Sequence, residues 1–351
     1  MSHTGPARVV VVGASAGGIE AVRQLLAPLP PDFPAAVLVV IHTGSTGPSL
    51  LAEVLGRAGA LPVQEGRDGQ PLLAGQVYVS VPDHHLLLQD GQVAVRRGPR
   101  ENRFRPSVDV LFRSAAYTYG ERVIGVVLSG MLDDGTSGLW TIQKLGGVSV
   151  VQTPSDAMYD SMPRSALAQV AADYVLPVSN IGPLLDDLVR QPLARPAAHP
   201  EEGMDEQELR RLDLEVQTAA DTPSASLEIL KLGQLSPLTC PECHGVLVEV
   251  QEGRLIRYRC HTGHAFSASS LAVGVNESVE RHLYQAMRSL DETVLLYGEL
   301  ERHHLALGEP ELAGQYQQLA LKAEMFSHQV RAMTSRTVAD DETQDSWPTP
   351  S

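Results

Sequence analysis

Ser15 lies in the stretch VVVVGASAGG (residues 9–18), where Gly13, Ser15 and Gly17 match the G-x-S-x-G of a nucleophile elbow, a turn that lifts a serine hydroxyl off a strand end. The dinucleotide fingerprint G-x-G-x-x-G needs a second glycine at position 15, where the backbone must approach a pyrophosphate. Serine there disfavours a nucleotide cradle. His42 ends the apolar run AAVLVVIH, and Asp133 and Asp134 follow VIGVVLSGM. Hydroxyl, imidazole and carboxylate are the parts of an acyl-transfer triad: nucleophile, general base, and the group that fixes the imidazole tautomer. The chain order Ser, His, Asp differs from that of α/β-hydrolases, but a triad is defined by geometry. Each residue also has a plainer use: Ser15 as a helix N-cap, His42 as a hydrogen-bonded strand-end histidine, one aspartate as the cap of a helix near Ser137.

A second constellation is Cys240, Cys243, Cys260 and His264, spaced C-x2-C-x16-C-x3-H. Two such knuckles bridged by a hairpin supply the four ligands of a zinc ribbon, and four protein ligands leave no open position for water, so a structural Zn2+ is expected. His244 and His261 compete for the fourth place, each cramped by an adjacent cysteine ligand.

Positioning these groups requires strand ends. From residue 8 to about 192, Val- and Ile-rich runs alternate with helical periodicity, the pattern of a parallel sheet buried on both faces. Strands are expected at 8–13, 36–41, 76–80, 122–128, 147–151 and 173–176, and a helix at 17–28 with Ile19, Val22, Leu25, Leu26 and Leu29 facing inward. Asp90-Gly91 between two apolar runs reads as a β-hairpin turn. The expected fold is therefore α/β with a doubly wound, mainly parallel sheet over 1–192. It is followed by a linker at 193–235 with at most one short helix, and by a zinc-ribbon-like module at 236–268 turning at Glu252 and Gly253. A helical hairpin at 269–335 and a disordered tail at 336–351 complete the chain. The hairpin follows from heptad-like steps at Leu283, Met287, Leu290, Val294 and Tyr297, and at Leu312, Tyr316, Leu319, Ala323, Phe326, Val330 and Met333.

The 351 residues carry a net charge of -15, which argues against nucleic-acid and anionic-membrane partners. No apolar run is long enough to span a membrane, no signal peptide opens the chain, and the three cysteines are clustered, so a cytoplasmic protein is expected.

Five blocks in the same order carry a more specific signal: GASAGG, VVIHTG, RPSVDVLFRSAA, VVLSGMLDDGTSG and VVQTPSDAMYDSMPRSAL. Together they resemble the catalytic domain of CheB-type protein-glutamate methylesterases over residues 8 to 192. The resemblance implies hydrolysis of glutamyl methyl esters on chemotaxis receptors, with glutamine deamidation at related sites and no catalytic cofactor. It implies Ser15 as nucleophile, His42 as base and acid, and Asp134, which precedes Gly135, as the orienting carboxylate. Ala16 and Met131 would lend backbone N–H groups to the oxyanion. Members of this family often carry a phosphorylatable receiver ahead of the esterase, whereas here the first strand begins near residue 8. SAGG, HTG and MLDDG depart from the more usual Ser-Thr-Gly-Gly, His-Met-Pro and Met-Gly-x-Asp-Gly. The implied partner is a methylated receptor, with self-association or a signalling kinase as candidates for the C-terminal helices. An inactive signalling scaffold acting through those helices, and a small-molecule esterase, are the alternatives.

Overall fold

The computed structural model describes residues 6–42, 50–192, 203–222 and 228–341. Thr43 and Gly44 of the HTG block, parts of the 193–235 stretch and the tail from 342 lie outside them. A seven-stranded parallel sheet forms the centre, built from β1 (Arg8–Ala14), β2 (Ala35–Ile41), β3 (Val63–Glu65), β5 (Val77–Val79), β8 (Val123–Val127), β9 (Val148–Gln152) and β10 (Tyr174–Leu176), in the order β10-β9-β8-β1-β2-β5-β3. All six expected strands occur. The seventh, Val63–Glu65, is half-buried and only three residues long, too short to show periodicity.

Alternation along β1 sends Val10 and Val12 to one face and Val9 and Val11 to the other. On the first face pack α1 (Gly18–Leu26), α2 (Leu51–Gly56) and α6 (Val178–Arg190); on the second pack α3 (Val108–Tyr119), α4 (Thr136–Lys144) and α5 (Ser161–Gln169). Ile19, expected inside, is instead exposed, because the buried stripe of α1 runs through Ala21, Val22, Leu25 and Leu26. Asp90 and Gly91, both at positive φ, turn the antiparallel pair β6 (His85–Gln89) and β7 (Gln92–Arg96), which β4 (Gln70–Pro71) extends to three strands.

Within the stretch read as a linker, α7 (Glu206–Ala219) is a fourteen-residue helix opened by an Asp205/Glu208 capping box, with Leu212 and Glu215 buried. Next comes a four-stranded antiparallel sheet of β11 (Gln234–Thr239), β12 (Val246–Glu252), β13 (Leu255–Cys260) and β14 (Ala265–Ser267). Glu252 is not in the turn. It ends β12 with its carboxylate buried, accepting from Ser137 Oγ at 2.7 Å and Arg257 at 3.0 Å, while Gly253 at positive φ turns the chain against Trp140.

Two long helices follow, α8 (Ala268–Ala306) and α9 (Pro310–Asp341), so helix continues into the segment expected as tail. The chain divides into two compact units after Leu271. In the second unit the less exposed row of α9 runs through Ala313, Tyr316, Ala320, Ala323, Ser327 and Val330, whereas Leu319, Phe326 and Met333 are exposed. Ser327 Oγ donates to Asp291 Oδ1 of α8 at 2.6 Å, and the Tyr316 ring stacks on His304. The heptad reading thus meets the seam at Tyr316, Ala323 and Val330 but takes Leu319 and Phe326 where Ala320 and Ser327 turn inward, because it treats the larger apolar residue as the anchor.

Candidate active site

In an open parallel sheet, ligands collect beyond the carboxyl ends of strands where the winding reverses. Here that point lies between β1 and β8, and the neighbouring strands β8, β1 and β2 carry the three candidate residues. Ser15 leaves β1 with its N–H donating to Ser129 O at 3.0 Å, and His42 leaves β2 with its N–H donating to Ala14 O at 3.2 Å. Gly17 then adopts a left-handed φ of 72°, and a Cβ there would come within 2.8 Å of Ser129 Oγ. Gly130 passes so close that a Cβ would lie 2.8 Å from Ser15 Cβ. The elbow glycines therefore serve the turn and its packing.

Ser15 makes no cap for α1, whose N-cap is Gly17 with no side-chain bond. Among the described residues its hydroxyl has no hydrogen bond. Nor do the N–H groups of Ala16 and Met131 donate to any described residue, although Ala16 O accepts from Ser129 Oγ at 2.8 Å.

His42 and Asp134 meet: Nε2 lies 2.7 Å from Asp134 Oδ2, with both side chains buried. The imidazole stacks on Phe104 with ring centroids 3.7 Å apart, and its Nδ1 is buried with no partner among the described residues. Asp134 sits over the N-terminus of α3, where unpaired helix N–H groups favour an anion. Val108 N–H donates to Oδ2 at 2.7 Å, and Oδ1 accepts from Asp109 N–H at 3.1 Å, Ser107 Oγ at 2.9 Å and Asn102 Nδ2 at 3.0 Å. Burial pushes this carboxyl up, but His42 and these donors outweigh it and hold it below the ordinary range. Ser15 Oγ is not hydrogen-bonded to His42, a contact that commonly tightens only when substrate binds.

Neither aspartate after β8 caps α4 through its side chain. That cap is Asp109 of α3, whose Oδ1 accepts from Gly135 N–H at 3.0 Å and Gly138 N–H at 2.7 Å. Burial, then the nearby Asp134 charge, raises Asp109 to about 7. Asp133 turns away from His42 and accepts from Ser267 Oγ at 2.8 Å and Ser269 Oγ at 2.6 Å. Asn102, Phe104, Ser107 and Asp109 form part of the site although the sequence reading assigns them no role. The Ser-x-Asp at 107–109 ahead of an apolar run is the one local sign of a helix start.

The ligand atoms of Cys240, Cys243, Cys260 and His264 lie within 4.8 Å of one another. Cys243 Sγ and Cys260 Sγ are 3.6 Å apart, and His264 Nδ1 lies 3.7 Å from Cys240 Sγ and 3.6 Å from Cys260 Sγ. A tetrahedron with Zn–S bonds of about 2.3 Å and a Zn–N bond of about 2.0–2.1 Å has S–S edges of about 3.8 Å and S–N edges of about 3.5–3.6 Å, so the donor set fits that ion. Both knuckles are closed by the backbone, with Cys240 N–H on Gly245 O and Cys260 N–H on His264 O. Hydrogen bonding from Cys240, against the effect of burial, holds the Cys260 thiol well below its ordinary range, the direction that favours a cation ligand. Thr262 Oγ1, not foreseen, lies 3.0 Å from Cys243 Sγ and 2.9 Å from Cys260 Sγ.

A model of the CheB methylesterase family matches residues 10–185. The chain is 42% identical over 182 residues to protein-glutamate methylesterase/protein-glutamine glutaminase 2 of Anaeromyxobacter dehalogenans, covering 52% of this chain and 53% of that protein. It is 38% identical over 176 residues to a putative protein-glutamate methylesterase/protein-glutamine glutaminase of Leptospira interrogans, covering 50% of this chain and 91% of that one. The Thermotoga maritima CheB methylesterase catalytic domain superposes with a TM-score of 0.49 at 33% identity, covering 53% of this chain and 99% of that domain. The chain thus spans 53% of the length of the first of these relatives and nearly all of the second. The family match takes in half of the chain, and the chain belongs to the CheB methylesterase family.

Proposed function

We infer that this protein is a serine esterase that hydrolyses glutamyl methyl esters on a chemosensory receptor, with Ser15, His42 and Asp134 as its triad. The observation that carries the reading is the buried His42–Asp134 pair at 2.7 Å, one strand from Ser15. With Nε2 committed to Asp134, Nδ1 is the nitrogen left to take a proton. In the mechanism, Ser15 Oγ attacks the ester carbonyl as His42 Nδ1 takes its proton. The tetrahedral oxyanion is held by the N–H groups of Ala16 and Met131, and His42 returns the proton to departing methanol. Water, activated by the same nitrogen, then releases the glutamate. The same site would take the glutamine amide, releasing ammonia.

Exposed Met131, Met158, Tyr159 and Ile19 near the elbow suit contact with a protein substrate rather than a small ester. Residues 1–192 would be the esterase and 236–268 a module around a structural Zn2+ that supplies cross-linking and no catalysis. The charge of -15 and the lack of a helix long and apolar enough to cross a membrane among the described residues agree with a cytoplasmic enzyme that binds no nucleic acid. Methanol release from a methylated receptor should fall at least about 10³-fold in Ser15→Ala; unchanged release contradicts the triad.

A further inference from the structure

Asn102 is 2% exposed and sits at a left-handed φ of 49°, a conformation that asparagine tolerates better than most residues. Its amide faces two ways. Oδ1 accepts from Ser267 N–H at 2.9 Å and from Ser270 Oγ at 3.2 Å. Nδ2 donates to Asp109 Oδ2 at 2.8 Å and to Asp134 Oδ1 at 3.0 Å. An amide has one acceptor end and one donor end, so the Ser267 N–H at the end of β14 and the Ser270 hydroxyl just after it hold the acceptor end and help fix the N–H2 on the carboxylates. Were they withdrawn, the placing of the amide would rest on its bonds to Asp109 and Asp134 alone.

The segment carrying Asn102 is itself a neighbour of β14. Asn102 N–H donates to Ala265 O at 2.8 Å, and Ala265 N–H donates to Arg100 O at 3.2 Å. Ala265 follows His264 directly, and the other edge of β14 pairs with β13, which ends on Cys260. A metal on Cys260 and His264 would therefore clamp the turn that delivers β14. From that turn to the base, each link is a stated contact: His264, Ala265, Asn102, Asp134, His42. Asp133, beside Asp134, is held by Ser267 and Ser269 from the same segment.

We propose that Asn102 is a positioning residue for the Asp134–His42 pair, and that metal bound by Cys240, Cys243, Cys260 and His264 controls the esterase through it, without touching substrate. The control of turnover rests on the esterase reading above; the control of the His42–Asp134 geometry does not.

The test uses the full chain loaded with Zn2+ and labelled with 15N-histidine. The ring N–H proton shared by His42 and Asp134 is identified by its loss in His42→Gln, and hydrolysis of p-nitrophenyl acetate is followed in parallel. Removing the metal with EDTA should shift this resonance upfield or erase it. It should also lower kcat about 10²-fold with KM little changed, as displacement of a catalytic group does. Metal-loaded Asn102→Ala should show the same two losses, and EDTA should then add nothing. Ser270→Ala, which removes one donor to Oδ1, should give a partial loss of both, with circular dichroism reporting that each form is folded. If the resonance is unchanged in folded chain stripped of metal, or in folded Ser270→Ala and Asn102→Ala, the proposal is overturned. If the resonance responds as expected but no form shows Ser15-dependent turnover, the coupling stands and the esterase reading fails.

Discussion

Asp134 accepts from five donors, one of them His42, and offers both oxygens to them. Asparagine at this position keeps the shape but turns an N–H2 toward donors, so imidazole loses the partner that fixes its tautomer. Asp134→Asn is expected to lower kcat by about 10³–10⁴-fold while the chain stays folded, measured by ester hydrolysis and circular dichroism. Asp109 and Asp134 titrate in opposite senses. Asp109, raised to about 7, contributes stability that is full below its unfolded value of about 4 and lost as pH rises through about 7. Asp134, held low, contributes stability that is present above its unfolded value and lost as pH falls through its folded one. The difference in urea stability between the natural chain and Asp109→Asn should therefore shrink as pH rises from about 4 to about 7. Ser15 and His42 are legible in the sequence because each is polar directly after an apolar run, whereas Asp134 is told from Asp133 only by the family resemblance, in which the aspartate preceding Gly135 is the orienting carboxylate. Asn102 and Asp109 are not legible, because apart from their bond to each other the partners that give them meaning lie 25 to 168 positions away.

At the scale of elements, α3 does two jobs with one terminus: its first N–H groups hold Asp134, and its Asp109 caps α4. Behind it, Glu101, Glu215 and Glu252 meet Arg113, Arg257 and Arg259 in a buried cluster that joins α3, α7 and the strands β12 and β13. Three carboxylates face three guanidiniums, so removing one charge leaves another buried without full compensation. Glu101→Gln is expected to cost about 3–5 kcal/mol, read from urea unfolding, whereas an exposed pair such as Arg57–Glu53 should cost at most about 1 kcal/mol. The strands of the parallel sheet are legible because both faces are buried and the apolar runs are continuous. The role of 203–222 is not, because Glu215 is a charged residue whose burial depends on arginines far along the chain. The α9 seam is partly obscured for the opposite reason: its packing also uses Ala313, Ala320 and Ser327, while Leu319 and Phe326 beside them face outward.

Across the whole molecule, the family match ends near residue 185, and the cysteine-bearing sheet beyond it lies in the same compact unit. The ligand set predicts one Zn2+ per chain, measured by metal analysis of the purified protein. Cys240→Ala should lose it and lower the melting temperature, since binding free energy at such a site is folding free energy. The most direct test of the central claim is covalent. A fluorophosphonate that reacts with activated serines, followed by peptide mapping, should place one adduct on Ser15, absent in Ser15→Ala and formed at least about 10²-fold more slowly in His42→Gln. An adduct on another residue, or labelling of Ser15 at the same rate without His42, would contradict the account.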